Sequence, residues 1–259
     1  MKDNNLISAV ILTKNDERTI KRCLESLSWC HEIIVVDDYS SDNTLSLVRD
    51  FNKDIRIYKR HIGGDFSSQR NYALEKINTK WVLFVDSDEE IPDELAKEIT
   101  QNLKNPINSG IQGYYIMRKD TFAGKLLEHG ETGNISFIRL AKKDAGKWYG
   151  KVHEVWNIPG KKITLKHNIY HFPHPSISLF LDEINRYTDI EAYARFKEGR
   201  RDGFKEILFF PLGKFLWNYL IKLGFLDGVP GLLVAVMMSF HSFLVRAKLF
   251  RLVQNKNER

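Results

Sequence analysis

The sequence predicts an α/β protein: a mixed, mostly parallel sheet flanked by helices, followed by a C-terminal helical extension suited to associating with a membrane. Three observations predict it. Short β-branched runs alternate with longer helical patterns over the first hundred residues, the signature of a parallel sheet wrapped by crossover helices. From Gly113 onward the strands become shorter and are separated by glycine-containing turns, as in the second half of a mixed sheet. Finally, residues 195–259 hold 12 Lys+Arg against 5 Asp+Glu and the densest apolar stretches, whereas residues 1–194 are balanced at 27 against 28.

The elements follow in order. Strands are predicted at Ser8–Thr13, Glu32–Val36, Ile55–Tyr58 and Trp81–Val85, with helices at Thr19–Leu27, Asn43–Phe51 and Ser67–Ile77. A fourth helix starts at Pro92, a residue suited to a first helical turn. Right-handed crossovers then put the C-terminal strand ends on one rim, where open α/β sheets bind ligands. Later strands are predicted at Gly113–Arg118, Phe137–Leu140, Lys151–Val155 and Ile163–Leu165. A helix over Ile177–Glu198 shows Leu181, Ile184, Tyr187, Ile190 and Ala194 at three- and four-residue spacing. The division expected is a catalytic domain over residues 1–200 and a basic, hydrophobic helical tail over 201–259.

Composition narrows the function classes. A chain of 259 residues with 43% hydrophobic and 28% charged residues is neither disordered nor a multi-span membrane protein. Cys23 and Cys30 form no C-x-x-C motif and are too few to staple a secreted chain, so a reducing compartment fits. The apolar run Leu6 to Leu12 is interrupted by Ser8 and ends in Thr13-Lys14-Asn15-Asp16 where a cleavage site would stand, which predicts no signal peptide and a cytoplasmic location. A phosphate loop and a dinucleotide fingerprint are both absent, against an ATPase or a dehydrogenase. In the tail, Val229–Val245 contains Pro230, Gly231, Ser239, His241 and Ser242 and falls short of the roughly 18–20 clean apolar residues of a span. An in-plane or shallow helical hairpin is expected on the inner face of the cytoplasmic membrane. Lys214, Lys222, Arg246, Lys248 and Arg251 would reach anionic headgroups, and Trp217 and Tyr219 would sit at the interface. The alternative is a tail that packs on the catalytic domain or forms a homodimer. Basic residues with such an apolar load do not suit nucleic acid.

The predicted rim is acidic: Thr13 to Glu17 after the first strand, Asp37 to Ser41 after the second, Asp86 to Glu90 after the fourth. Ser40, Ser41 and Asp42 can be read as helix caps. Asp86 and Asp88 are different, because two like charges leaving a buried strand repel unless a cation neutralises them.

Three segments, Val10-Ile11-Leu12-Thr13-Lys14-Asn15-Asp16-Glu17, Ile34 to Thr44 around Asp37-Asp38, and Phe84-Val85-Asp86-Ser87-Asp88-Glu89, resemble in order and spacing the successive motifs of family 2 glycosyltransferases of GT-A fold. Arg139 to Glu154 and Gly224 to Leu232 are similar to the branch with bacterial lipopolysaccharide-core glucosyltransferases. The resemblance implies a GT-A-like sheet and inverting transfer of a hexose, glucose favoured, from a nucleoside diphosphate sugar, UDP-sugar favoured, to a lipid-linked glycan. It implies that Thr13, Asn15, Glu17 and Asp38 contact the nucleoside, with Arg70 nearby. Asp86-Ser87-Asp88 resembles the D-x-D in which carboxylates hold Mg²⁺ or Mn²⁺ against the diphosphate. Asp88 would be the direct ligand, Asp86 a ligand or ribose contact, and His171, of the run His167, His171, His174, a third ligand. The base is implied at His153-Glu154, where Glu154 stands by an apolar wall of Trp148, Val155 and Trp156; Glu131 and Asp144 are rivals. Competing readings are a non-catalytic sugar-nucleotide scaffold and a family 2 transferase acting on another polysaccharide or a protein.

Overall fold

The computed structural model describes residues 6–51, 54–105, 110–131, 135–150, 154–173 and 176–257. Two compact units divide the chain: Met1–Arg118 with Ile135–Phe172, and Lys119–Asn134 with Pro173–Arg259. The division therefore differs from the expected one near residue 200. The long helix after Pro173 groups with the tail, and a short segment between two sheet strands joins it.

In the first unit, strands β1 (Ile7–Thr13), β2 (Glu32–Asp37), β3 (Ile55–Lys59) and β4 (Trp81–Asp86) pair in parallel in the order β3-β2-β1-β4. Three of them, β1, β2 and β4, are near-continuous apolar runs because both faces are covered. Residue alternation splits them between two cores. Ile11, Val35 and Val85 pack with Leu24 of α1 (Ile20–Ser26) and Leu95 and Ile99 of α4 (Asp93–Lys104). Val10, Val36 and Phe84 pack with Ala73 and Leu74 of α3 (Phe66–Glu75). Helix α2 (Thr44–Arg49) buries Leu45 and Val48. Pro92 stands just before the first turn of α4, in extended conformation.

Between β4 and α4 lies a two-residue strand, β5 (Glu89–Glu90). The sheet then continues through β6 (Ile111–Phe122) and β8 (Ile135–Lys142), both antiparallel to their neighbours in the order β4-β8-β6, while β7 (Lys125–Leu126) pairs with the end of β6. A separate hairpin of β9 (Lys147–Tyr149) and β10 (Val155–Asn157) sets Trp148 opposite Trp156, with ring centroids 5.1 Å apart. Each of the two rings meets Phe84 of β4 edge-on. Gly146 precedes β9 because a Cβ there would fall 1.8 Å from the Asn157 carbonyl. The strand expected over Lys151–Val155 is β10 from Val155; residues 151–153 lie outside the described residues. Strand β11 (Lys161–Thr164) pairs with β6, and β12 (Ile169–His171) pairs antiparallel with β5.

The second unit is helical. Helix α5 (Ile177–Lys197) is capped by Ser176, whose hydroxyl accepts the Leu179 amide at 3.2 Å. Its buried stripe is Phe180, Ile184, Thr188 and Ala192; of the spaced positions named from the sequence Ile184 is on it, whereas Leu181, Tyr187 and Ile190 are 39%, 52% and 61% exposed. The helix carries more apolar residues than one packed face can cover. Helix α6 (Phe204–Leu216) runs into a π-helical turn, Trp217–Ile221, and a 3-10 turn, Gly224–Asp227. Helix α7 (Val229–Asn257) then runs back along α6, with the Ser239 hydroxyl donating to the Pro211 carbonyl at 2.8 Å.

Helix α7 corrects one expectation. Pro230 and Gly231 fall in its first turn, where a missing amide hydrogen costs nothing, and Ser239, His241 and Ser242 do not interrupt it. Its 27-residue stretch Val229–Asn255 is long and apolar enough to cross a membrane by length and composition. Gly231 is required by close approach: a Cβ there would sit 2.0 Å from the Gly224 carbonyl.

Candidate active site

Register brings the acidic clusters to one rim. Thr13 pairs with Asp37, and Leu12 with Asp86, so β1, β2 and β4 end level. Asp16 ties two of these ends together. Its Oδ2 accepts the Thr13 hydroxyl at 2.7 Å, the Lys14 amide at 2.9 Å and the Ser87 hydroxyl at 2.6 Å.

Around Asp38 lies a polar cluster. The buried carboxylate accepts Lys14 Nζ at 2.7 Å, contacts His61 Nδ1 at 3.2 Å and accepts the Ile62 amide at 3.2 Å. Burial pushes its pKa up, but these bonds and the Lys14 charge outweigh burial and hold it below the usual value. Beside it Tyr39 stacks on His61 with centroids 4.0 Å apart, although Tyr39 has a left-handed φ of +54°. That conformation costs an aromatic residue on the order of 1 kcal/mol or more, and such strain clusters at ligand sites. Asn15 and Glu17 brace the loop after β2: Asn15 Oδ1 accepts the Ser41 amide at 2.8 Å and Glu17 Oε2 the Asn43 amide at 3.0 Å. Of the three expected caps, Asp42 reaches an amide of α2, that of Thr44, at 3.0 Å.

Asp86 and Asp88 have different surroundings. The pairing of β12 with β5 sets His171 Nε2 3.2 Å from Asp88 Oδ2, and the Phe172 amide donates to the Asp88 carbonyl at 2.9 Å. Asp86 is instead held by arginines. Arg139 Nη2 donates to its Oδ2 at 2.6 Å and Arg70 Nη2 to its Oδ1 at 2.9 Å. Burial would raise its pKa, but the Arg139 and Arg70 charges outweigh burial and hold it well below the carboxylate range. Both Asp86 oxygens are thus engaged by guanidinium groups, and the carboxylate braces the end of β4. Arg139 also reaches the fully buried Glu89, whose Oε1 accepts at 3.1 Å and whose Oε2 accepts the Asp86 amide at 2.9 Å. Burial is the main cause that pushes Glu89 up.

Glu154 completes a row of alternating charges. Its Oε1 accepts Arg70 Nε at 3.0 Å, while Oε2 has no hydrogen bond among the described residues. It lines a cleft of about 390 Å³ with Arg70, Asp86, Arg139, Trp148 and Trp156, so the expected aromatic wall is present together with a guanidinium. His153 and His174 lie outside the described residues. The rivals are elsewhere: Asp144 follows the end of β8 that pairs with Trp81, about 16 Å along β4 from Asp86 at 3.3 Å per residue. Glu131 belongs to the second unit, where Lys214 Nζ donates to it at 2.6 Å. His167 is taken by Glu98 at 2.8 Å. Sequence reasoning put Asp16 and Glu89 on the rim without a role, and missed Arg139 and His61. Arg139 had one signal, a charge inside an apolar strand.

Residues 8–186 match the sequence profile of Glycosyl transferase family 2. The chain belongs to this family. The family 2 transferase is 26% identical over 251 residues to the lipopolysaccharide core biosynthesis glycosyltransferase LpsC of Rhizobium meliloti (strain 1021), covering 95% of this chain and 92% of that protein. Among solved structures it is similar to S. aureus TarS 1-349, at 15% identity and a TM-score of 0.47 over 98% of this chain and 91% of that one. It is also similar to glucosyl-3-phosphoglycerate synthase from Mycobacterium tuberculosis, solved with Mn²⁺, UDP and phosphoglyceric acid, at 16% identity and a TM-score of 0.44 over 77% and 80%. In the transferase itself no group of three or more His, Cys, Asp or Glu among the described residues could hold a metal ion. Asp88 offers a carboxylate oxygen of the kind Mg²⁺ and Mn²⁺ take, whereas the His171 imidazole departs from the oxygen set that Mg²⁺ prefers, so a cation held here would draw its other ligands from diphosphate oxygens and water.

Proposed function

We propose that the enzyme transfers a hexose, glucose favoured, with inversion from a nucleoside diphosphate sugar to a lipid-linked glycan of the lipopolysaccharide-core kind, at the cytoplasmic face of a membrane. UDP-sugars are the favoured donors. The observation that carries this reading is the juxtaposition on one rim of the Asp38 cluster, the Asp88 and His171 pair and the cleft that holds Glu154.

Asp38, Lys14 and the Tyr39 and His61 stack would take the nucleoside, with Thr13, Asn15 and Glu17 shaping the loops around it. Asp88 and His171 would hold Mg²⁺ or Mn²⁺. When bound, the cation offsets the charge that builds on the departing diphosphate. Glu154 receives the proton of the acceptor hydroxyl on Oε2, while Arg70 fixes Oε1 and, through Asp86, ties the base to the end of β4. Fixing the base in this way keeps it in one orientation as the proton moves. Exposed apolar residues of the second unit, among them Phe204 at 77%, Val229 at 68% and Ile221 at 65%, support a peripheral membrane location, since monomeric soluble proteins seldom show large contiguous apolar patches.

The test is nucleotide release from a panel of nucleotide sugars with and without a lipid-linked acceptor. EDTA should abolish transfer and Mg²⁺ or Mn²⁺ restore it. Asp88→Ala should stay folded and lose more than about 100-fold in rate. Full activity in chelator would remove Asp88 and His171 from the metal role.

A further inference from the structure

The second unit contains a pocket of about 650 Å³ between α5, α6 and α7 that the transfer reaction does not use. Three cations line it: Arg195 of α5, Lys214 of α6 and Arg246 of α7. Two carboxylates line it as well, and each is already paired. Glu191 accepts Arg195 Nη2 at 2.5 Å, with His241 Nε2 at 3.8 Å, and Glu131 accepts Lys214 Nζ at 2.6 Å.

Arg246 is the least closely paired of the three. It is 9% exposed. Its Nη1 donates to the Ser242 carbonyl at 2.9 Å and hydroxyl at 2.8 Å, and its face lies over the Phe210 ring at 4.2 Å. Nε is buried with no hydrogen-bond partner. Its carboxylate neighbour Asp202 stands 3.9 Å away, beyond hydrogen-bond reach. Asp202 Oδ2, which faces Nε, is likewise buried without a hydrogen bond, so this pair is held by charge alone and leaves the guanidinium with hydrogen-bonding capacity for a further anion.

The rim has the opposite character. Phe209, Phe210 and Trp217 are 60%, 54% and 53% exposed, and they continue into the apolar surface of α6 and the turns after it. A ligand that satisfies both parts carries anionic oxygens at one end and hydrocarbon at the other. We infer that this pocket binds the phosphate-bearing headgroup of an anionic glycerophospholipid of the bilayer, with its acyl chains against the aromatic rim. Basic pockets between apolar helices bind anionic headgroups in this way. The inference rests on the membrane-surface reading above, and adds to it a discrete site with headgroup selectivity.

The full chain is tested by co-sedimentation with phosphatidylcholine vesicles, with and without phosphatidylglycerol. Wild type should prefer the anionic vesicles, and Arg195→Gln with Arg246→Gln should lose that preference by roughly 10- to 30-fold, as about fivefold per basic residue implies. Lys222→Gln with Arg251→Gln removes the same charge outside the pocket and should change it far less. Equal losses in the two double variants would overturn the pocket in favour of diffuse attraction. Equal binding of both vesicles by wild type would overturn the headgroup site and leave the membrane reading standing, whereas no binding to either would overturn both. Since the arginine variants can fail to fold, wild type is also titrated calorimetrically with dihexanoyl phosphatidylglycerol, dihexanoyl phosphatidylcholine and inorganic phosphate. Heat from the first alone is expected; an equal response to inorganic phosphate would overturn the lipid assignment.

Discussion

The charges Glu154, Arg70, Asp86, Arg139 and Glu89 form one alternating row from the cleft into the core. Each arginine serves two carboxylates and the two share Asp86, so removing Arg139 strips the buried Glu89 of its hydrogen-bonded cation and leaves Asp86 to Arg70 alone, and a broken buried pair costs about 3–5 kcal/mol. Arg139→Leu should therefore destabilise the fold by about that amount in chemical denaturation, more than Lys14→Leu at the exposed end of the rim. Glu154→Gln keeps shape and a hydrogen-bond acceptor for Arg70 but loses basicity. Donor binding should survive while transfer falls by about 10²–10⁴-fold, the range for general base catalysis; unchanged turnover at saturating donor would make Glu154 a binding residue. Glu154, Arg70 and Asp86 were named from the sequence, but the contacts that join the row were hidden in it. Thr13, Asp38 and Asp88 could be placed because each ends a parallel strand or follows one within two residues, and local patterning predicts those strands. Arg139 and Glu89 meet only through the antiparallel pairings of β4 with β8 and β5 with β12, and no local spacing encodes those.

Among the elements, the parallel strands and crossover helices were legible because their apolar runs match burial on both faces. The two-residue strand β5 was not, since Glu89-Glu90 has no strand propensity and is held by its partner β12. The face of α5 was also misplaced in part, because its apolar residues exceed one stripe and only the partner helix decides which are covered. The start of α7 shows what fixes such a junction. Asp227 is buried and accepts the Glu128 amide at 3.2 Å, the His129 amide at 2.9 Å and His129 Nδ1 at 3.1 Å, pinning the segment after β7 to the turn before α7. Burial opposes ionisation of Asp227, but the bonds from His129 and the two amides outweigh it and lower the pKa. A lowered folded value means this contribution is present above the unfolded value of about 3.9 and lost as pH falls from there through the folded value. Asp227→Asn should destabilise the protein at neutral pH and flatten the acid limb of its stability curve below about pH 4. Gly231→Ala, whose Cβ meets the Gly224 carbonyl, should cost about 1–3 kcal/mol as an overpacking change, read by thermal unfolding.

At the scale of the whole chain, the unit boundary decides how the tail can be tested. Cutting near residue 205, where composition changes, would remove α7 and strip Phe122, Phe180 and Ile184 of Met237, with which they form a core. The expected result is aggregation, which reports nothing about membranes. Surface substitution keeps that core intact. Leu212, Ile221 and Leu226 are 54%, 65% and 53% exposed and line neither the basic pocket nor the rim of the sheet, so replacing them with Ser should leave unfolding and nucleotide-sugar binding unchanged. Burying a large aliphatic side chain is worth about 1.5 kcal/mol or more, or about tenfold in affinity. The triple variant should thus bind neutral vesicles at least about 100-fold more weakly, allowing for partial insertion, and should lose transfer to a vesicle-borne acceptor while retaining transfer to a soluble acceptor fragment. High salt should weaken wild-type binding to anionic vesicles and leave its binding to neutral vesicles in place, because screening acts on the charges and not on buried hydrocarbon. Unaltered vesicle binding by the triple variant, with a concentration-dependent dimer that the substitutions dissolve, would assign the same apolar surface to a second copy of the chain.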